Sequence, residues 1–376
     1  MNYNALAEVN DGSCFYANVN LSVSKTFVLD EALTESSGLI FWNNRLWTHH
    51  DDNNTKLYAL DTANGNTLQN INLPHVINND WEEISQDDNY VYVGDFGNNA
   101  EGNRSDLHIL RITKSSILQN APIIDTIRFQ YGNQSNFDVQ TVNTTEFDCE
   151  AMIVTSDSIY LFKKQWTSFK STVYRIPKVP GNYTADSLFT LEVNGLVTGA
   201  TYLPAKKLVA LCGYSSAGVP FLYMLYDFPG YQFHKGNKRR MNLNLALHQV
   251  EGIATHNGLK YYMTNEKAGN SVVTYPQQMH TLDLTPYLNT YLNPLSVQDK
   301  LKDYSLSVWY LNNTLFIINP TGVKEQVVLY NSYAQQVLEF TLNGNAFEEI
   351  NLPALDTGIY LLYMQMHDVK KVLVTK

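Results

Sequence analysis

Five segments of the chain open alike: "SSGLIFW" (36–42), "DWEEISQ" (80–86), "DCEAMIV" (148–154), "VTGATYL" (197–203) and "QVEGIAT" (249–255). Each is followed within a few residues by a second apolar run: "RLWTHH", "YVYVGD", "SIYLFK", "KLVALC" and "LKYYMT". Most copies add a third, such as "TKLYALD" or "STVYRIP". Short runs of this kind, bounded by Asn, Asp, Gly and Pro, read as β-strands. Aligned on Ser37, Glu82, Glu150, Thr198 and Glu251, the copies are spaced by 45, 68, 48 and 53 residues. Units of about 40–50 residues with three or four strands are the sequence form of propeller blades, since one such sheet buries its faces only when neighbours stack on it. The expected fold is all-β: a five-bladed β-propeller, six-bladed if one copy is degenerate, followed by a small C-terminal β-sandwich. The competing reading is an irregular sandwich with accidental likeness between segments.

Domain limits follow from the same pattern. Residues 1–20 form a polar lead-in and 21–286 the propeller. Within it, "LSVSKTFVL" (21–29) is expected to close the ring by pairing with the last blade around "HTLDL". The long second gap holds "QYGNQSNFDVQTVNTT", expected as an extended outer hairpin. After Pro286 the chain reads as a loop-like linker, 287–303. Alternating strands over 304–376 then make the sandwich.

The bulk numbers narrow the function. A net charge of −10 disfavours a nucleic-acid partner, which calls for a basic face. It equally disfavours charge-driven binding to anionic lipid. No run of about 18 apolar residues occurs, so no transmembrane segment is expected. The three cysteines give neither a disulfide framework nor a C-x-x-C metal knuckle, and Cys149 and Cys212 sit in apolar strand patterns as buried thiols. There is no G-x-S-x-G elbow, H-E-x-x-H pair or phosphate-binding glycine loop, so any hydrolysis would be metal-assisted or carboxylate-based.

The acids carry the remaining argument. First strands line a propeller's channel, so Glu82, Glu150 and Glu251 converge on one axis. Asp80 and Asp148, two residues earlier, face the same way. Two like charges 4 Å apart repel by roughly 4 kcal/mol at an effective dielectric of 20. The cluster must therefore hold a cation, keep protons or pair with bases. An oxygen-preferring Ca²⁺ is the simplest occupant, and Lys163 and Lys164 are placed to supply charge instead. The three glutamates are also the catalytic candidates. Asp95, Asn98, Asn99, His50, Asp51, Asn265 and Glu266 end the second strands and could join them, or serve as ordinary turn residues. Gly94 and Gly97 permit tight backbone there. Arg104 would pair with Asp95 or with an anionic ligand. Trp42, Trp47 and Trp166 could face a glycan or protein, whereas Trp81 is turned by strand alternation into blade packing.

The motifs "SSGL…LWTHHD", "DWEEI…VYVGDFGNN…R", "DCEAM" and "QVEGI…NE" resemble secreted bacterial β-propellers of uncharacterised function. More loosely they are similar to SdiA-regulated and esterase-like-phytase propellers, over about residues 30–285. Glu251 matches the "EGI" glutamate of that pattern, while Glu82 and Glu150 are followed by Glu83 and Ala151 instead of Gly. Residues 304–376 resemble a type IX secretion sorting domain (type A), through "LDTGIYLL" and the terminal "KKVLVTK". Ala334-Gln335 stands where that family has Gly-Gln, and Asn319-Pro320 lies mid-domain. "NYNALAEVNDGSC" resembles the end of an acidic extracellular repeat that would pair Cys14. With no secretory leader at Met1, further residues are expected upstream. The resemblance implies export through the type IX machinery to the medium or outer cell surface. The expected role is a binding or structural module with a Ca²⁺-holding centre and a glycan or protein ligand. The alternative is a metal-assisted hydrolase of esters, lactones or phosphoesters. Exposed glutamates in a dead-end funnel would favour the enzyme, and sealed ones the binder.

Overall fold

The computed structural model describes residues 14–52, 54–245, 247–269, 274–293, 307–318, 324–343, 347–364 and 367–374. The chain divides into two compact units between Asn289 and Thr290.

The first unit begins with β1 (Val19–Leu21) and β2 (Lys25–Val28). Four-stranded antiparallel meanders follow. They are β3–β6 (Ser36–Trp42, Arg45–His50, Lys56–Leu60, Thr67–Asn72) and β7–β10 (Trp81–Gln86, Tyr90–Asp95, His108–Thr113, Ile124–Tyr131). Then come β11–β14 (Asp148–Val154, Ser158–Lys164, Ser171–Pro177, Gly181–Leu191) and β15–β18 (Leu196–Leu203, Leu208–Tyr214, Pro220–Tyr226, Asn237–Leu243). The last repeat has β19 (Val250–Thr255), β20 (Lys260–Asn265), the short pair β21 (Ala268–Gly269) and β22 (Thr274–Tyr275), and β23 (Gln278–Asp283). A one-turn helix α1 (Lys114–Leu118) leaves β9. The first strands pack side by side in the cyclic order β3, β7, β11, β15, β19 and back to β3. The fold is an all-β propeller.

The last repeat has only three long strands of its own. Its outer place is filled by β2, antiparallel to β23, with Lys25 opposite Thr281 and Val28 opposite Gln278. The N-terminal segment thereby closes the ring where the sequence pattern put it. Immediately before, β1 adds in parallel to β18, pairing Val19 with Met241. A second parallel seam joins β10 to β14 and merges two repeats into one eight-stranded sheet.

Wedges of apolar side chains fill the space between neighbouring sheets. One holds Trp47, Leu57, Ile71, Trp81, Ile84 and Ile112. Full burial of each such side chain contributes about 1.5–3 kcal/mol. Trp81 is wholly buried there, as strand alternation requires.

Two expectations are corrected. The 130–145 stretch is not a hairpin: only Gln130 and Tyr131 belong to β10, and residues 132–147 contain no strand. Its Asn, Gln and Thr residues lack the alternation a strand needs. Instead it folds over the loop after β8, with Gln140 N–H on Glu101 O (2.9 Å) and Asn143 N–H on Asn99 O (2.9 Å). The expected linker begins as a helix, α2 (Thr285–Leu292), because Leu284, Leu288 and Leu292 recur at helical spacing and are buried. Asp283 accepts the Thr285 N–H at its start (2.9 Å).

The second unit contains β24 (Ser307–Leu311), β25 (Thr314–Ile318), β26 (Lys324–Tyr330), β27 (Gln336–Asn343), β28 (Phe347–Asn351), β29 (Gly358–Met364) and β30 (His367–Val374). They form a three-stranded sheet, β24-β25-β28, and a four-stranded one, β27-β26-β29-β30. Leu315, Ile317, Val327, Leu329, Leu362 and Val374 share one core. "LDTGIYLL" runs into β29 and "KKVLV" lies in β30, its antiparallel neighbour. Asn319-Pro320 and the Met1–Ser13 lead-in lie outside the described residues.

Candidate functional site

Each first strand carries a register slip near the aligned position. In the pairing with the second strand, Glu82, Glu150, Thr198 and Glu251 are the extra residues, and Gly38-Leu39 take that place beside Ser37. The repeated position is thus a β-bulge, which bends the strand and re-aims its side chain. Where the aligned position carries a hydroxyl, it ties neighbouring sheets together. Ser37 Oγ donates to Glu82 O (2.6 Å), and Thr198 Oγ1 donates to Val250 O.

Where the bulge carries a glutamate, acids accumulate. One carboxylate oxygen each from Glu82, Asp148 and Glu150 lie within 4.8 Å of one another. Asp80 joins through Gly97, where a Cβ would collide with both Asp80 Oδ2 and Glu82 Oε1. The glycine lets two carboxylates rest on bare backbone. Glu82, Glu150 and Glu251 are 7%, 2% and 6% exposed, so the centre is sealed, and Asp80 is half-buried.

One ammonium sits among them. Lys164 Nζ lies 2.8 Å from Glu150 Oε1, both side chains buried. Lys163 faces the opposite way, 4.0 Å from the Phe147 ring centroid, and burial lowers its pKa to about 8. Asp148 accepts the Trp166 indole N–H (2.7 Å) and the Asn98 backbone N–H (2.7 Å). Asp95, Asn98 and Arg104 buttress this loop. Arg104 Nη2 donates to Asp95 Oδ1 (2.6 Å), Nη1 donates to Gly97 O (2.8 Å), and its backbone N–H donates to Asn98 Oδ1 (2.9 Å).

A second, half-buried trio of Glu35, Asp51 and Glu266 lies at the ends of other strands, again with oxygens within 4.8 Å. Gln249 Nε2 donates to Glu266 Oε1. Asn265 is engaged elsewhere: its amide donates to Glu266 O (2.8 Å) and Pro276 O (2.9 Å), and its Oδ1 meets His280 Nε2 (2.8 Å). His50 stands 3.4 Å from Asp51 and 3.0 Å from Asp52, and the Asp51 contact raises its pKa.

Burial dominates the electrostatics. It lifts Asp80 and Glu251 to about 7, helped by the charge of Asp148 on Asp80 and of Asp51 on Glu251. Burial and then Glu150 push Glu82 well above the usual range. Burial also raises Glu150, against the pull of Lys164. Glu266 is pushed up to about 10 by burial and by Glu251. Glu251 Oε2 is buried with no hydrogen-bond partner. Two oxygens on one Ca²⁺ lie at most about 5 Å apart, twice a Ca–O distance. The Glu82–Asp148–Glu150 set fits that limit, and an all-oxygen donor set suits such an ion.

The residue after each aligned position was not legible as important. These residues are Gly38, Glu83, Ala151, Gly199 and Gly252: one glutamate and four small residues. Glu83 is wholly buried and reaches across the axis, accepting Ala200 N–H on β15 (2.6 Å) and its neighbour Ile84 N–H (3.0 Å). Amides of Met152 and Leu39 also act on it. A Cβ on Gly38 would stand 3.0 Å from Glu83 Oε1, and one on Gly199 would stand 2.6 Å from Glu251 O. The departure from a uniform "EGI" pattern is what makes room for this one side chain. Its signal lay in the small residues of the other copies.

No helix among the described residues is long and apolar enough to cross a membrane. No family model matches the chain, and no curated protein matches it in sequence. Similar solved structures include a Myxococcus xanthus glutaminyl cyclase, 9% identical with a TM-score of 0.42, covering 71% of this chain and 99% of that one. The WD40 repeats of RRP9 are 10% identical with a TM-score of 0.39, covering 70% and 99%. The Bombyx mori GH32 β-fructofuranosidase BmSUC1 is 9% identical with a TM-score of 0.41, covering 92% and 85%. At TM-scores below 0.5 these likenesses carry no argument about what the chain binds or does.

Proposed function

We propose that the chain is an exported five-bladed propeller acting as a binding module, its acidic centre held together by a divalent, oxygen-preferring cation of the Ca²⁺ type. The supporting observation is an imbalance. Among the described residues, Glu82, Asp148, Glu150 and Glu251 share the one ammonium of Lys164, Asp80 beside them feels only the more distant Arg104, and one oxygen of Glu251 has no partner. Glu82, Asp148 and Glu150 would be the ligands, with Asp80 and Glu251 beside them. The near-complete burial of the three glutamates favours binding over hydrolysis of an ester or phosphoester, since a substrate could not reach them. For export, the resemblance of β29 and β30 to a type IX sorting signal supports an address carried by residues 304–376.

The first test compares melting of the full chain in Ca²⁺ and in chelator. Ca²⁺ at a hundred times its Kd adds about 2.7 kcal/mol, which raises the midpoint by roughly 5–10 °C for a domain of this size. Glu150→Gln should abolish the shift. An unchanged midpoint, with no metal found by elemental analysis, would refute the cation. For export, residues 304–376 fused to a reporter should carry it to the surface of a bacterium with that secretion system. A reporter retained in the periplasm would refute the address.

A further inference from the structure

Beside the acidic centre lies a cavity of about 590 Å³, walled by the ends of three successive sheets. That volume falls within the roughly 300–1,000 Å³ of ligand clefts. Trp166, Phe169, Tyr214 and Tyr275 give it aromatic walls, and Asn143, Ser215, Ser216 and Gln249 give it hydroxyls and amides. Among the described residues, no Asp, Glu, Lys or Arg lines it.

Its walls are held in place. The Trp166 indole N–H is engaged by Asp148, so the ring cannot turn. Tyr275 packs against His248, ring centroids 4.6 Å apart. Three lining residues, Asn143, Phe169 and Leu247, have left-handed backbone, with φ of 59°, 54° and 61°. For bulky side chains such as Phe and Leu that conformation is strained, and strain of this kind gathers at ligand clamps. Phe169 is fixed on both sides, its N–H on Gln165 O (3.0 Å) and its carbonyl accepting Gly195 N–H (3.0 Å).

We propose that this cavity is the binding site for a neutral carbohydrate, an inference that rests on the propeller being a binding module. The aromatic faces suit the C–H faces of sugar rings. Hydroxyl and amide side chains, which both donate and accept, suit sugar hydroxyls. Charged ligands fit less well. An anion would find no lining Lys or Arg, since the nearby Lys164 is paired with Glu150, and an ammonium would find no lining carboxylate. Lys164 already lies 4.6 Å from the Trp166 ring and 5.4 Å from the Tyr214 ring, so it uses their cation-binding capacity.

The test applies the full chain, loaded with Ca²⁺ at pH 7.5, to an array of neutral, sulfated, uronic-acid and amino glycans. The best neutral glycan is then titrated by calorimetry. Neutral glycans should be captured, and Trp166→Ala and Tyr275→Ala should each weaken binding at least tenfold. Tyr275→Ala lies away from the acids and should keep the Ca²⁺-dependent rise in melting point, so lost binding cannot be ascribed to a lost centre. Capture of charged glycans alone, capture of none, or undiminished binding by folded Tyr275→Ala would overturn the proposal. Sugar binding without any Ca²⁺ shift would support the cavity while refuting the cation.

Discussion

Changing pH should move the chelated and Ca²⁺-loaded protein in opposite directions. Asp80 and Glu251 are held near 7 in the folded chain, against ordinary values of 3.8 and 4.5. Without a cation, the folded state keeps protons that the unfolded chain has already released. That stabilisation is complete below about pH 4 and is lost as pH rises through 7. For Glu251 it amounts to about 3 kcal/mol. Ca²⁺ demands the ionised form, so binding expels those protons. With two groups near 7 beside ligands, Glu82 and Glu150, that are themselves raised, lowering pH from 6.5 to 5.5 should weaken Ca²⁺ by at least roughly 60-fold, about 2.4 kcal/mol. Calorimetry in buffers of different ionisation heat counts the protons released, and melting curves at each pH follow the two states. A Kd that stays flat from pH 5.5 to 8, or a chelated protein that gains stability with rising pH, would refute the reasoning.

Three further outcomes follow from named contacts. Lys164→Met strips Glu150 of its buried partner and should destabilise the chelated protein by about 3–5 kcal/mol, and Glu150→Gln added to it should recover part of that loss. A double-mutant cycle in denaturant measures the coupling, and simple additivity would contradict the pair. Gly97→Ala puts a methyl where Asp80 and Glu82 now lie, so calorimetry should show Ca²⁺ affinity falling at least tenfold; unchanged affinity would place the ion elsewhere. Replacing Thr26 and Val28 together by proline removes the pairing of β2 and bares the edge of β23, leaving β1 on β18. Light scattering should then show association through that edge, and a monomer with an unchanged melt would deny the strand its closing role.

The repeats made the ring of sheets legible because each unit restates the same strand order, and apolar alternation identifies a strand without tertiary information. Closure by residues 25–28 was equally visible as an unpaired strand at one end and a vacancy at the other. Helix α2 was missed because only Leu284, Leu288 and Leu292 signal it, too short a pattern to outweigh its surroundings. The convergence of Glu82, Glu150 and Asp148 could be read from alignment. Which lysine would meet them could not, since a one-residue difference decides between Glu150 and the Phe147 ring. The cavity beside Trp166 is assembled from turns of three different repeats, and nothing in a single repeat announces it.

Glu83 sets a limit on how this ring could be built or rebuilt. A chain made of identical copies of the repeat that bears Glu83, or of one that bears glycine, would fail at the axis. Copies that all bore glutamate there would crowd several carboxyl groups into the space of one, and copies that all bore glycine would leave backbone amides such as that of Ala200 facing a void. Rotational symmetry can hold everywhere in this fold except on the line about which it turns. A design based on an averaged repeat must therefore restore one unlike unit before its centre can close.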